Sequence, residues 1–275
     1  MTEEQAGTPD YTMGFSEEFL ENLRRFTAQA NAAYLIPYLR PGLRVLDFGC
    51  GPGTISAGLA RAIAPGELHG VDMEPSQVEL ARSVAEAHDV SNATFHVGDV
   101  TALPFEDDYF DVAHCHNVLM HIPDTAAALA EVKRVLKPGG ILGCREMICA
   151  SSFTEPDFGV IRQAWDMFED LLAADDGHPQ MGKELKVHLK NAGFENVYAT
   201  ATFDIFSAPA DVEFIYGIAT QWFLSPEIAE AAIKYGAATR ELCDAIGNAY
   251  ARWREHPGAF LGVAYGETLA NKAFA

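Results

Sequence analysis

The stretch Val45-Leu46-Asp47-Phe48-Gly49-Cys50-Gly51-Pro52-Gly53-Thr54 holds the residue types best suited to cradle a ligand. An apolar run enters glycines and then a helical pattern, and glycine lets backbone N–H groups approach a ligand with no Cβ in the way. A dinucleotide would suit such a loop. The spacing, however, is Gly49, Gly51, Gly53, and Thr54 stands where the GxGxxG fingerprint has its third glycine. Pro52 stiffens the loop, and Asp47 sets a carboxylate just before it. That carboxylate would repel a pyrophosphate but could hold an ammonium group, directly or through water. The expected ligand therefore carries a cation.

Two further carboxylates follow where strands are expected to end. Asp72, in Gly70-Val71-Asp72-Met73, can accept two hydrogen bonds from the hydroxyls of a ribose. Asp99, in Gly98-Asp99-Val100, can accept from an exocyclic amine such as that of adenine. An ammonium, a ribose and an adenine without phosphate describe S-adenosyl-L-methionine, which becomes S-adenosyl-L-homocysteine once its methyl group has left.

His114, His116 and His121 raise the question of a metal, since alternate strand residues share a face and neutral imidazole is a common ligand. His114 is expected to point into the packing of the sheet, and no metal site is expected. Glu146 either points near the pocket mouth or pairs with Arg145. Where an acceptor must lose a proton, His116, His121 and Glu146 are the candidate bases. The cysteines Cys50, Cys115, Cys144, Cys149 and Cys243 contain no CxxC pair and are expected to be reduced thiols.

These residues need a frame that brings strand ends together. A helical pattern from Ser16, a plausible N-cap, runs through Phe19, Leu20, Leu23 and Phe26 and resumes toward Leu39, where Pro41-Gly42 stops it. Strands are expected at 43–48, 68–71, 93–97, 110–115 and 141–147, alternating with helices at 55–63, 77–88 and 125–136, the last closed by Lys137-Pro138-Gly139-Gly140. Such alternation specifies an α/β fold: a Rossmann-like, mostly parallel seven-stranded sheet with helices on both faces. Ligands bind such sheets outside the carboxyl ends of the strands. Residues 1–40 form an arm and helices over the cofactor site, 41–150 the cofactor-binding core, and 151–275 helical inserts plus the last two strands. The inserts, after strands 5 and 6, are expected to form a cap in which several aromatic residues line an apolar cavity.

The 275 residues carry 19 Lys and Arg against 39 Asp and Glu, a formal charge of −20. This excess of carboxylates argues against nucleic acid as a partner. With 49% hydrophobic residues the chain can bury a sizeable core, and a disordered chain is excluded. No apolar run approaches the roughly 18 residues of a spanning helix, and the first residues lack the form of a signal peptide. Membrane insertion is not expected, and a cytoplasmic location is.

The stretch from about Arg44 to Met147 resembles class I S-adenosylmethionine-dependent methyltransferases of the UbiE-like small-molecule type. The resemblance is carried by VLDFGCGPG at 45–53, GVDMEPSQVELAR at 70–82, FHVGDVTALPFEDDYFDVAHCHNVLMHIPD at 95–124 and RVLKPGGIL at 134–142. It implies that Gly49, Gly51 and Gly53, with Cys50 between them, form the cofactor loop and that Asp72 binds the ribose. Met73 and Gln77 would lie beside the adenine, Asp99 and Val100 at its edge, and Cys115 and His116 near the methionine part. His121 falls where many relatives also carry histidine, which suits a structural role below the pocket as well as a catalytic one. The Tyr11-Thr12-Met13-Gly14 arm would fold over the cofactor, with Tyr11 contacting its carboxylate. The implied activity is methyl transfer to O, N or C of a small, largely apolar acceptor, a natural-product or quinone-like intermediate. An NAD(P)-dependent oxidoreductase and a non-catalytic S-adenosylmethionine-binding scaffold are the alternatives. A homodimer would let the arm reach a neighbour's site.

Overall fold

In the computed structural model, residues 17–274 are described. The entry to the fold is a short helix, α1 (Glu17–Arg24), followed by a single turn, α2 (Ala28–Asn31). The expected helical pattern, running to Phe26 and resuming toward Leu39, is interrupted at Thr27, whose extended backbone and side chain cap α2: its hydroxyl accepts from the Ala30 N–H, while Asn31 Oδ1 accepts from the Thr27 N–H. Ser16 and Tyr11 lie outside the described residues.

The alternating region folds as β1 (Arg44–Phe48), α3 (Thr54–Ile63), β2 (Glu67–Asp72), α4 (Pro75–Ala87), β3 (Ala93–Val97), β4 (Phe110–His116), α5 (Thr125–Val135) and β5 (Leu136–Met147). Each helix start has a local cause. Gly53, at φ +76°, turns the chain into α3; Glu74 accepts from the Ser76 N–H ahead of Pro75-led α4; and Asp124 accepts from the Ala127 N–H to cap α5. At Lys137-Pro138-Gly139-Gly140 the structure departs from the expected plain stop. Leu136 already pairs with Phe110, the register then shifts, and pairing resumes at Val112 with Ile141, so these residues bulge from the strand.

The rest of the chain supplies β6 (Phe153–Glu155), α6 (Ile161–Ala174), α7 (Met181–Asn191), β7 (Glu195–Phe206), α8 (Pro209–Gly217), α9 (Pro226–Lys234), α10 (Arg240–Arg254) and β8 (Phe260–Asn271). The strands form one sheet in the order β3-β2-β1-β4-β5-β8, with β7 on the far side of β8. The three-residue β6 continues the line of β5 against β8, making eight strands where seven were expected. All pairings up to β5 are parallel, and β8 runs antiparallel to its neighbours.

One buried cluster fills the face under α5 and α7, a second lies under α2, α3 and α4, and a third joins α6, α8, α9 and α10 to the first half of β8. Trp253 of α10 is fully buried and donates from Nε1 to the Glu155 carbonyl at 3.1 Å, fastening the inserted helices to the sheet. The inserted aromatics divide. Phe168 and Phe223 pack in the cap, whereas Phe153 and Phe203 remain 42% and 49% exposed beside the sheet edge.

Candidate active site

The carboxyl ends of β1 and β2 form one half of the site. Gly49 and Cys50 both donate to the Val71 carbonyl, pulling the loop after β1 across the end of β2. Asp72, the last residue of β2, locks this arrangement: its carboxylate accepts from the Gly51 N–H at 2.8 Å and from the Glu74 N–H at 3.0 Å. Burial raises its carboxyl above the usual range, and the two N–H donors oppose the rise.

Gly49, Gly51 and Gly53 all have left-handed φ values, which favour glycine. Their surroundings differ. A Cβ on Gly49 would collide with the Val118 side chain, and one on Gly53 would come within 2.7 Å of Ala81 Cβ. A Cβ on Gly51 would meet nothing within 4 Å among the described residues. The glycine tied to Asp72 thus faces a space left by the described residues. Gln77 of α4 is only 2% exposed, and its amide oxygen and nitrogen both lack partners among the described residues. A cradle open at Gly51, a held carboxylate and an unpartnered amide fit a nucleoside without phosphate, as in S-adenosylmethionine.

The ends of β4 and β5 form the other half. His116 closes β4, is buried, and has no partner for either ring nitrogen among the described residues. The Phe26 ring meets it edge-on at 4.8 Å and the Tyr265 ring lies 5.5 Å away. Burial first, and the neighbouring Arg145 charge second, hold its imidazole well below the ordinary value, so it is neutral.

Arg145 lies beside His116 in register and is almost fully buried. Its guanidinium pairs with Asp204 at 2.7 Å and Glu267 at 3.2 Å, and stacks on the Tyr265 ring at 3.6 Å. Thr202 donates to Glu267 at 2.8 Å, and Asn31 to Asp204 at 3.4 Å. Tyr34 packs nearby with its hydroxyl buried and unpartnered. Sequence reasoning missed Phe26, Tyr34, Asp204, Tyr265 and Glu267. The alternation Thr200, Thr202, Asp204 in β7 was the readable signal for a polar inner face.

Several expected site residues stand elsewhere than anticipated. Asp47 is 2% exposed, and both its oxygens are engaged, one by the Ser56 hydroxyl of α3 and the other by His114 Nδ1 at 2.8 Å. It supports the loop from beneath and does not face an ammonium. The His114 imidazole is fully buried, its Nε2 without a partner. The Cys115 side chain points to the sheet face opposite His116, because neighbouring strand residues alternate, and its thiol lies 3.6 Å from Glu146. The Cys50 thiol is buried toward Gly70.

Glu146 does not pair with Arg145 or point near a pocket mouth. It has no exposed surface, and its carboxylate accepts from the N–H groups of Val118, Leu119 and Met120. His121 closes the turn formed by those residues, and burial lowers its imidazole to about 4. Met73 is 59% exposed at the rim; Asp99 is exposed and accepts from the Thr101 N–H at 2.8 Å, with Val100 partly buried beside it. Among the described residues no group of three or more His, Cys, Asp or Glu could hold a metal ion, and no helix is long and apolar enough to cross a membrane.

A parallel sheet with one reversed strand, an acidic residue closing β2 and a glycine loop opening onto free space define a class I S-adenosylmethionine-dependent methyltransferase. The model of the family described as a methyltransferase domain matches residues 39–199, and the chain belongs to this family. An uncharacterized methyltransferase of Schizosaccharomyces pombe is 30% identical, the match covering 95% of this chain and 96% of that protein. The ubiquinone/menaquinone biosynthesis C-methyltransferase UbiE of Shewanella halifaxensis is 28% identical over 66% of this chain and 75% of its own length. Among solved structures, the YcgJ protein of Bacillus subtilis superposes with a TM-score of 0.60 at 19% identity, covering 90% of this chain and all of that one.

Proposed function

We propose that the chain methylates O, N or C of a small, largely apolar metabolite, with a phenol, quinol or comparably activated ring as the acceptor. The observation that carries this reading is His116, a neutral, buried imidazole with both nitrogens unpartnered, set between the rings of Phe26 and Tyr265. Apolar ring walls with one convergent polar group suit a flat ligand that must be oriented. S-adenosylmethionine, when bound, supplies a methyl group on a sulfonium for in-line attack.

The chain's own contribution is to hold, align and dry. Asp72 holds the ribose; Met73 and Gln77 flank the adenine, and Asp99 and Val100 border it. The loop Gly49–Gly53 receives the amino-acid part. Phe26 and Tyr265 grip the acceptor and exclude water, which aligned transfer requires. His116 takes the acceptor's proton on a ring nitrogen. An imidazole this reluctant to charge is a weak base, so it suits an acceptor whose proton is already acidic more than an aliphatic alcohol. The C-methyltransferase named for ubiquinone and menaquinone biosynthesis among the relatives supports the same acceptor class. His121 lies in the turn below and shapes the pocket.

Incubation with methyl-labelled S-adenosylmethionine and a mixture of phenols, quinols and extracted apolar metabolites tests this reading. Label in a low-mass, organic-soluble product is expected. Label confined to protein or nucleic acid would overturn it.

A further inference from the structure

The segment between β4 and α5 passes under the cofactor loop, and it is fastened in an unusual way. Val118, Leu119 and Met120 present three consecutive N–H groups to one carboxylate. Glu146 Oε1 accepts from Val118 at 3.0 Å and Leu119 at 2.9 Å, and Oε2 accepts from Met120 at 3.2 Å. No basic side chain pairs with Glu146 among the described residues; the neighbouring Arg145 is committed on the opposite face to Asp204 and Glu267. The Val118 side chain fills the place a Cβ on Gly49 would need, so where Val118 sits decides where the loop can sit. The two ends of the segment are held by the Asn117 N–H on the Arg145 carbonyl at 2.9 Å and the His178 N–H on the Met120 carbonyl at 2.7 Å.

We propose that Glu146 is a positioning residue: through the N–H groups of residues 118–120 it fixes Val118 against Gly49 and thereby sets the affinity of the glycine loop for its cofactor. The proposal rests on the methyl-transfer reading of the same site, but it removes Glu146 from the candidate bases, since its carboxylate is taken up by three backbone N–H groups and the Cys115 thiol.

Geometry gives the clamp a pH dependence. Burial pushes the Glu146 carboxyl up to about 7 against the pull of the three N–H donors and the Cys115 thiol, so its charge changes near neutrality. The other titratable groups on its side are Cys115 from β4, Cys144 from β5, His121 from the turn and His178 from the adjoining loop. Burial moves the Cys115 thiol upward and the His121 imidazole down to about 4. As pH rises through 7 the carboxyl becomes an anion and its three bonds strengthen. Cofactor affinity therefore rises with pH.

Calorimetric titration with S-adenosylhomocysteine from pH 6 to pH 8, on the wild type and Glu146→Gln, tests this, together with amide exchange at residues 118–120 in the absence of cofactor. Wild-type affinity is expected to rise on the order of tenfold across the range. In Glu146→Gln, where the amide NH2 opposes a backbone N–H, affinity at pH 8 should fall on the order of tenfold, the pH slope should vanish, and exchange at residues 118–120 should accelerate. Comparing the two proteins isolates Glu146 from the cysteines and histidines around it. A Glu146→Gln protein with wild-type affinity, slope and exchange overturns the proposal while leaving methyl transfer intact. Should that variant fail to fold, a flat wild-type profile between pH 6 and 8 overturns it equally. A wild-type chain that binds no S-adenosylhomocysteine at any pH overturns both readings.

Discussion

The ends of β1 and β2 and the ends of β4 and β5 lie in one sheet, yet the two halves of the site are built by different means. The first half is made of backbone: three left-handed glycines, two N–H groups donating to the Val71 carbonyl, and one carboxylate that ties Gly51 to Glu74. All of it comes from residues 49–74. The second half is made of side chains gathered from the whole chain, with Phe26, His116, Arg145, Asp204, Tyr265 and Glu267 meeting on one sheet face. A half made of local backbone suits a cofactor that is always the same. A half assembled from distant side chains can be altered one residue at a time to suit a different acceptor.

This contrast can be broken at several points. The largest effect is expected from Arg145→Met, which leaves Asp204 and Glu267 as uncompensated carboxylates. Urea unfolding at neutral pH should show a loss of about 3–5 kcal/mol, with S-adenosylhomocysteine affinity of the folded protein changed less than about threefold. A loss under about 1 kcal/mol would mean that the ion network does not hold the acceptor half.

Gly51→Ala should act on the ligand more than on the fold. The left-handed backbone costs about 1–2 kcal/mol of stability, the added methyl meets no atom of the described residues within 4 Å, and cofactor affinity falls on the order of tenfold in calorimetry. Gly49→Ala carries the same backbone cost plus a collision with Val118, so its unfolding free energy should drop further. Equal stability losses in the two variants would contradict the assignment of Gly51 to the ligand face.

The smallest effect is expected at His121. Its imidazole, lowered to about 4 by burial, stays neutral in the fold while an unfolded chain binds a proton below about 6.5. Its share of stability is therefore complete above that pH and is lost as pH falls toward 4. Urea midpoints at pH 7 and pH 5 should differ less in His121→Ala than in the wild type, with cofactor affinity unchanged within about twofold.

The same contrast decides what was legible in the sequence. Gly49, Gly51, Gly53 and Asp72 could be read because backbone conformation and chain neighbours define them. The β-strand alternation was legible too, and with it most of the sheet. Asp47 was misplaced because its partners, Ser56 and His114, come from α3 and β4, and sequence adjacency to the glycines says nothing of where a strand's side chain points. Glu146 was misread for the same reason: Arg145 is next in sequence, but alternation puts the two on opposite faces. Phe26 and Tyr265 carry no local signal at all. Their meeting at His116 depends on the link between α1 and α2 reaching the end of β4 and on β8 inserting in reverse beside β5.

The division of labour between the halves is tested most directly by a matched pair of calorimetric titrations with S-adenosylhomocysteine. Asp72→Ala removes the carboxylate that holds Gly51 and receives the ribose, and its affinity should fall about a hundredfold or more. His116→Gln changes only the acceptor half and should bind within about threefold of the wild type, while turnover of an identified acceptor falls about a hundredfold. Equal losses of affinity in the two variants, or wild-type turnover in His116→Gln, would contradict the account.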